Sequence, residues 1–282
     1  MQLIDGKATA TLIKQRLADE IKQLTQKYES EIGLAVIMVG DNPASQIYVA
    51  NKIKSCEEVG IHSELFHLSD SIAEEELLDI IDGLNRRDDI HGILVQLPLP
   101  RQCDPARVIE AIAPEKDVDG FSYGQMGRLV AGKESLVPCT PRGVMALLEH
   151  YGIQPAGKHA VVIGRSNIVG KPMAHLLLQA NATVTVCHSR TADLAQFTRM
   201  ADILVVAIGK ADFITGDMVK EGAVVIDVWM NRLEGRLTGD VDFASVSPKC
   251  SYITPVPGGV GPMTIAMLMS NTVEAYLAQQ RG

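Results

Sequence analysis

The sequence predicts an α/β protein of two three-layer domains, each a parallel sheet covered on both faces by helices. One observation is that continuous apolar runs of strand length, bounded by glycine, alternate with stretches whose apolar residues recur at helical spacing. Another is that this alternation occurs twice. Between the two blocks, from Pro98 to Pro141, lies turn-rich sequence ("LPLPRQCDP", "APEKDVDGFSYGQMG", "PCTPRG") of the kind that connects domains or carries function. A chain of 282 residues is long for one hydrophobic core and comfortable for two.

Each element has a local reason. Residues 6–28 repeat Leu12, Ile13, Leu17, Ile21 and Leu24 at helical spacing, and "GLAVIMVG" at 33–40 is a buried strand. A second helix runs from Pro43 to Val59 and stops at Gly60. "IHSELFHL" follows as a half-buried strand, 73–86 as a helix and "GILVQL" as another buried strand. After Pro141 a helix (Val144, Leu147, Leu148, Tyr151) leads to "HAVVIG", and the strands "ATVTVC", "ADILVVAIG" and "AVVIDV" complete a second parallel sheet. The stretch from Pro262 to Gln280 reads as a last amphipathic helix that can pack back on either domain. No repeat of fixed short period is present.

Bulk properties exclude several classes. Hydrophobic residues at 46% and charged residues at 21% describe an ordinary globular protein. A net charge of -8, without a Lys/Arg-dense block, argues against a nucleic-acid partner. No apolar stretch approaches the length of a membrane span, and "MQLIDGKATATLIKQRL" lacks the basic-then-apolar order of a secretory signal, so a cytoplasmic protein is expected. The five cysteines (Cys56, Cys103, Cys139, Cys187, Cys250) are scattered and read as reduced thiols, and the seven histidines show no zinc-binding spacing, so no metal is expected.

Five motifs are candidates for chemistry. In "VVIGRSNIVGKP" Gly164 ends a strand and Gly170 precedes Pro172 at a helix start, where backbone N–H groups and the helix dipole attract an anion. A plain strand-to-helix turn has the same composition. At the end of the following strand, "TVTVCHSRT", a dinucleotide site selecting NAD would carry a carboxylate. This one carries Ser189 and Arg190, and with Arg165 in the loop they favour the extra phosphate of NADP.

In "NPASQIYVANKIK" Tyr48 and Lys52 share a helix face one turn apart, with Ser45 a turn earlier. A partly buried lysine beside a phenol can handle protons, although exposed helices often carry the same pair. Gln96 ends the strand in "VQLPLP", at the carboxyl edge where open sheets present ligand-binding groups, or simply where two prolines set a turn. "KDVDGFS" offers Asp117 and Asp119, read either as a turn or as a magnesium-binding pair, and "TPVPGGVGPMT" is a Pro-Gly loop that lets backbone approach a ligand or merely turns.

Taken in order, "YVANKIK", "VQLPLP", "DVDGF", "PCTPRG", "GRSNIVGKP" and "PVPGGVGPMT" resemble the bifunctional methylenetetrahydrofolate dehydrogenase/methenyltetrahydrofolate cyclohydrolase family, from about Gly6 to the last helix. The resemblance implies an N-terminal catalytic, folate-binding domain over 1–120, with the helix at 263–282 packing back on it. It implies a Rossmann-type NADP-binding domain over 141–262, and one active-site cleft between the two. It implies NADP-dependent oxidation of methylenetetrahydrofolate and hydrolysis of the product to formyltetrahydrofolate, in a homodimer serving one-carbon metabolism.

By the same resemblance Lys52 is the central catalytic residue, Tyr48 supports it near the pterin, Gln96 is its hydrogen-bond partner, and Asp119 anchors the pterin ring. Leu97, Pro257, Gly258 and Gly259 fall at substrate-proximal positions, and Gly164, Arg165, Ser166, Ser189 and Met230 at cofactor-contacting ones. One position departs from the family: in "DVWMN" Trp229 stands where a glycine is common, and an indole there bears on the shape of the nicotinamide or ribose pocket. A relative that keeps only one activity, another NADP-dependent dehydrogenase and a non-catalytic dinucleotide sensor are the rival readings.

Overall fold

A computed structural model of the chain describes residues 1–233 and 235–281. Two compact units emerge, Leu12–Val137 with Ile265–Gly282, and Met1–Thr11 with Pro138–Thr264. The chain opens on a two-residue strand, β1 (Gln2–Leu3), and a long helix, α1 (Gly6–Tyr28), most of which belongs to the first of these units.

In the first unit the central strand β2 (Gly33–Val39) is buried at every position, because parallel neighbours flank it and helices cover both faces. It pairs with β3 (His62–Leu68) on one side and β4 (Gly92–Val95) on the other, with Ile37 opposite both Phe66 and Val95. Helix α2 (Pro43–Val59) lies between β2 and β3 in sequence. The Asn42 side chain caps it by accepting from the amides of Ala44 (3.0 Å) and Ser45 (3.1 Å), Pro43 occupies the first turn, and Gly60, at φ 89°, closes it. Helix α3 (Glu74–Asn85) buries Leu77, Ile81 and Leu84 at one-turn intervals against Ile37, Ile93 and Val108.

The ends of α3 are matched to its dipole, with Glu74, Glu75 and Glu76 in the first turn. Beyond its last turn the buried Lys116 donates from Nζ to the carbonyls of Leu84 (3.3 Å), Asn85 (2.9 Å) and Arg87 (2.6 Å). Burial lowers the pKa of Lys116, and these carbonyls are what make the site tolerable to its charge.

The stretch expected to be irregular contains two short helices, α4 (Pro105–Glu110) and α5 (Tyr123–Val130). Six and eight residues are too few to display a 3.6-residue period. Their signals are caps instead: Asp104 accepts from Ala106 N at 2.9 Å with Pro105 at the first position, and Ser122 accepts from Gln125 N at 3.4 Å.

The second unit begins with α6 (Cys139–His150). It continues through β5 (His159–Ile163), α7 (Gly170–Gln179), β6 (Thr183–Cys187), α8 (Leu194–Thr198), β7 (Ile203–Val206) and β8 (Val224–Asp227). Then follow an antiparallel pair, β9 (Asn231–Leu233) and β10 (Arg236–Thr238), helix α9 (Phe243–Val246), a short strand β11 (Tyr252–Ile253) and the last helix α10 (Val260–Gln279). From Ile265 onward α10 belongs to the first unit.

Among the described residues the main sheet has the order β1-β11-β8-β7-β5-β6, and every pairing in it is parallel. The short strands β1 and β11 escape sequence reading because two residues carry no periodicity. Ile163 stands opposite Cys187 on one side and Val206 on the other, over a core of Val161, Leu204, Val225, Ile214, Val246 and Ile253. Because β6 lies on one side of β5 and β7 on the other, the connections diverge at the carboxyl ends of β5 and β7. That is the position where sheets of this kind bind ligands.

Candidate active site

In the first unit the chemistry-bearing side chains gather at the carboxyl end of the three-stranded sheet. Helix α2 presents Tyr48, 45% exposed, and one turn later the half-buried Lys52. Gln96 extends β4 by one residue, its amide donating to Ile37 O at 2.8 Å. Lys52 Nζ donates to Gln96 Oε1 at 2.9 Å, and Gln96 Nε2 donates to Leu97 O at 2.7 Å, so both ends of the glutamine amide are fixed and its oxygen faces the lysine. The two residues lie 44 positions apart, and a strand end and a helix face bring them together.

The two aspartates of "KDVDGFS" have different environments. Asp117 is buried and its carboxylate accepts from the amides of Gly120 (3.0 Å), Phe121 (3.3 Å) and Ser122 (2.8 Å), which folds the loop around it. Burial raises its pKa and those donors draw it back. The loop is also tied from α10, where the buried Asn271 donates from Nδ2 to the carbonyls of Val118 (2.7 Å) and Val137 (2.8 Å). Asp119, next along, keeps part of its surface open. Burial pushes its carboxyl up to about 6, the charge of Lys52 pulls it down and Asp117 pushes it further up, so Lys52 and Asp119 act on each other. A magnesium-binding pair is a poor description of these carboxylates, because Asp117 is committed to three backbone amides.

In the second unit the loop after β5 is shaped for an anion. Gly164, at φ +122°, lies so close to Ala207 that an added Cβ would stand 2.3 Å from its carbonyl oxygen, and a Cβ on Gly170 would stand 2.2 Å from Gly164 O. Only glycine fits either position. Ser166 Oγ accepts from the amides of Val169 (3.2 Å) and Gly170 (3.3 Å), which rounds the turn into α7. Among the described residues no carbonyl or side chain accepts from the amides of Arg165, Ser166, Asn167 and Ile168, which leaves a row of donors beside a helix start. On the next strand end, residues 188–191 close on themselves: Thr191 N donates to His188 O at 2.8 Å and His188 N to Thr191 Oγ1 at 2.9 Å. Ser189 and Arg190 stay exposed, as does Arg165.

Met230 and Trp229 follow β8, and both are partly exposed. The loop of Pro257, Gly258 and Gly259 lies in this same unit, tied to the start of α1 by Lys7 N donating to Gly258 O at 2.9 Å. Gly258 has φ +102°, and a Cβ on Gly259 would meet Pro255 O at 2.5 Å.

Two buried carboxylates here escape sequence reading. Asp227 ends β8 and accepts from the amides of Asp240 (3.0 Å) and Val241 (2.9 Å). Burial pushes it up to about 7, those amides draw it back, and Asp240 and Asp212 push it further up. Asp240, fully buried, accepts four N–H groups. Nothing in "VVIDVW" around Asp227 or "TGDVDF" around Asp240 distinguishes them from strand-end and turn residues, since their partners come from elsewhere in the chain.

Comparison with known proteins matches two domains of one family along the chain. Residues 4–119 match the tetrahydrofolate dehydrogenase/cyclohydrolase catalytic domain, and residues 138–280 match the NAD(P)-binding domain of the same family. The bifunctional protein FolD of Moorella thermoacetica is 58% identical over 275 residues, 97% of this chain and 98% of that one. The crystal structure of the bifunctional FolD methylenetetrahydrofolate dehydrogenase/cyclohydrolase from Campylobacter jejuni is 54% identical, with a TM-score of 0.97 over 99% of both chains. That of the Trypanosoma brucei enzyme, solved with NADP cofactor and an inhibitor, is 38% identical, with a TM-score of 0.95 over 99% of this chain and 98% of that one. With both family domains matched in order, the chain belongs to the tetrahydrofolate dehydrogenase/cyclohydrolase family.

Proposed function

We infer that this protein is a bifunctional enzyme that oxidises methylenetetrahydrofolate to the methenyl cation with NADP and hydrolyses that cation to formyltetrahydrofolate. The observation that carries the reading is Lys52 Nζ held on Gln96 Oε1 beside the half-buried Asp119, within the stretch that matches the family's catalytic domain.

In the oxidation the methylene carbon sits between two nitrogens that stabilise the cation left when hydride departs, so the step needs oriented rings more than a strong base. Bound NADP supplies the hydride acceptor. Tyr48 offers the pterin a flat ring and a hydroxyl, and ionised Asp119 accepts hydrogen bonds from its N–H groups. Gln96 with Leu97 completes the folate-proximal surface of this unit. In the hydrolysis water adds to the cation carbon and gives up a proton. The bond to N5 then breaks as N5 takes a proton and the carbonyl forms, so one proton is released overall. Lys52 Nζ, aimed by Gln96, takes and returns these protons.

The second unit fits NADP on its own structure. The unengaged amides of residues 165–168 suit the pyrophosphate, the absence of room at Gly164 and Gly170 brings backbone close to it, and exposed Arg165, Ser189 and Arg190 suit the additional phosphate. Ser166 and Met230 contribute at the same edge. With methylenetetrahydrofolate as substrate, NADP is expected to be reduced with at least a tenfold higher kcat/KM than NAD. Arg165→Ala removes charge-assisted hydrogen bonds of about 1.5–3 kcal/mol, a loss of roughly 10- to 150-fold for NADP, with little change for NAD. Steady-state assays with both nucleotides check this, and equal use of the two defeats the assignment of Arg165 and Ser189.

The chain works as a homodimer in the cytoplasm. β3 is an edge strand with Leu65 43% exposed, and a flat exposed edge calls for a cover. The five cysteines are free and buried, and among the described residues no helix is long and apolar enough to cross a membrane. Sedimentation equilibrium is expected to return twice the chain mass, and Leu65→Lys to return the monomer. A monomeric native protein ends this assignment.

A further inference from the structure

We propose that Asp240 is a positioning residue for NADP: one buried carboxylate that fixes the two strand-end turns forming a wall beside the nucleotide loop. Oδ2 accepts from the amides of Ile208 (2.7 Å) and Gly209 (3.0 Å), and Oδ1 accepts from the amide of Lys210 (2.7 Å) and from Asn231 Nδ2 (2.9 Å). The first three donors are the turn after β7. The fourth begins β9, just past the Val228–Trp229–Met230 segment that leaves β8.

This turn touches the nucleotide loop directly. Ala207 N donates to Ile163 O at 2.8 Å, and Ala207 O is the atom that leaves no space for a side chain at Gly164. At the other end of the same turn, Trp229 lies over Gly209, where an added Cβ would stand 3.2 Å from the indole nitrogen. Gly209 itself is at φ +67°. Asp240 therefore holds the backbone that meets Gly164 and the backbone that Trp229 covers.

The carboxylate is itself anchored. Its own amide donates to Asp227 Oδ1 at 3.0 Å and Val241 N to Asp227 Oδ2 at 2.9 Å, while Asp227 N donates to Thr254 Oγ1 at 2.8 Å. A Cβ at Gly239 would stand 1.8 Å from Asp227 Oδ2, so only glycine lets the two aspartates stack in this way. The segment between Asp227 and Asn231 is thus tied down at both ends, and its exposed side chains Trp229 and Met230 project at the carboxyl edge of the sheet. Four N–H donors on two oxygens require a carboxylate. An amide in its place supplies one oxygen and turns an NH2 group against two of the donors.

The inference rests on the reading that the Gly164 loop takes NADP, and the chain's single tryptophan reports on the place in question. NADP titration of the full-length protein, followed by Trp229 fluorescence and by calorimetry, is the experiment. For Asp240→Asn the dissociation constant is expected to rise at least tenfold and the Trp229 emission to shift. KM for NADP rises with it, while KM for methylenetetrahydrofolate and the nucleotide-free cyclohydrolase rate stay within twofold of wild type. Equal affinity and emission in variant and wild type overturn the proposal alone, as does a parallel loss of both activities. Wild type that fails to bind NADP overturns the reading of the loop and this proposal with it. If Asp240→Asn does not fold, Asn231→Ala removes one donor from the partly exposed side; a rise of about threefold is expected, and an unchanged constant overturns the proposal.

Discussion

Lys52→Met is expected to lower the cyclohydrolase rate by about 10²- to 10⁴-fold, the range that a positioned proton-transfer group contributes, while the dehydrogenase step falls far less. The asymmetry follows from the chemistry. Hydride departure from a carbon between two nitrogens needs no base, whereas water addition must dispose of a proton and ring opening must supply one. Methionine keeps the length and apolar body of the lysine stem, so the packing of α2 is retained and only Nζ and its bond to Gln96 are lost.

Gln96→Leu leaves Lys52 Nζ without its 2.9 Å acceptor and is expected to reproduce part of the same loss. The measurement is the decay of methenyltetrahydrofolate absorbance above the buffer rate, set beside NADPH formation on the same preparations. Equal loss of both activities would move Lys52 from proton transfer to substrate positioning, and an unchanged hydrolysis rate would remove it from the site.

Legibility in the sequence followed the range of the interactions. β2 and β4 were readable because a strand buried on both faces is apolar at every position, and α2 because Asn42, Pro43 and Gly60 mark its ends locally. β1 and β11, two residues each, exist only because they pair with each other and with β8, and no local pattern announces that. The helices α4 and α5 were hidden in a stretch rich in Pro, Gly and Asp, where Asp104 with Pro105 starts the first and Ser122 caps the second.

The candidate site divides in the same way. Tyr48 and Lys52 on one face of α2 follow from spacing, and the glycines at 164 and 170 from their motif, but the 44-residue bond between Lys52 and Gln96 was accessible only through family resemblance. Asp117 and Asp119 sit two residues apart with the same side chain. Which of them turns into the loop to collect amides is decided by the fold, through the bridge of Asp117 to Ile93 in β4 and the grip of Asn271 on Val118 O. Asp227 and Asp240 are the extreme case, since all the donors to their carboxylates but Asn231 Nδ2 are backbone amides, brought from other segments by the fold.

Asp119 provides the second large effect, and its direction is set by its environment. With the carboxyl pushed up to about 6, it is ionised at neutral pH and becomes protonated as the pH falls through that value. The pterin offers N–H donors, which the carboxylate accepts and the neutral acid accepts poorly. Accordingly kcat/KM for the folate substrate is expected to be flat above neutrality and to fall about tenfold per pH unit below pH 6, with one proton controlling the limb. Asp119→Asn removes charge-assisted hydrogen bonds of about 1.5–3 kcal/mol, a loss of roughly 10- to 150-fold in kcat/KM at pH 7.5. The acid limb disappears with the carboxylate. Because the charge of Lys52 lowers the Asp119 pKa, the residual dehydrogenase activity of Lys52→Met should show the limb displaced to higher pH. Rate profiles for the three proteins between pH 5 and 9 supply the check. A limb that survives in Asp119→Asn belongs to another group, and a limb that stays in place in Lys52→Met means that the two side chains do not share one electrostatic site.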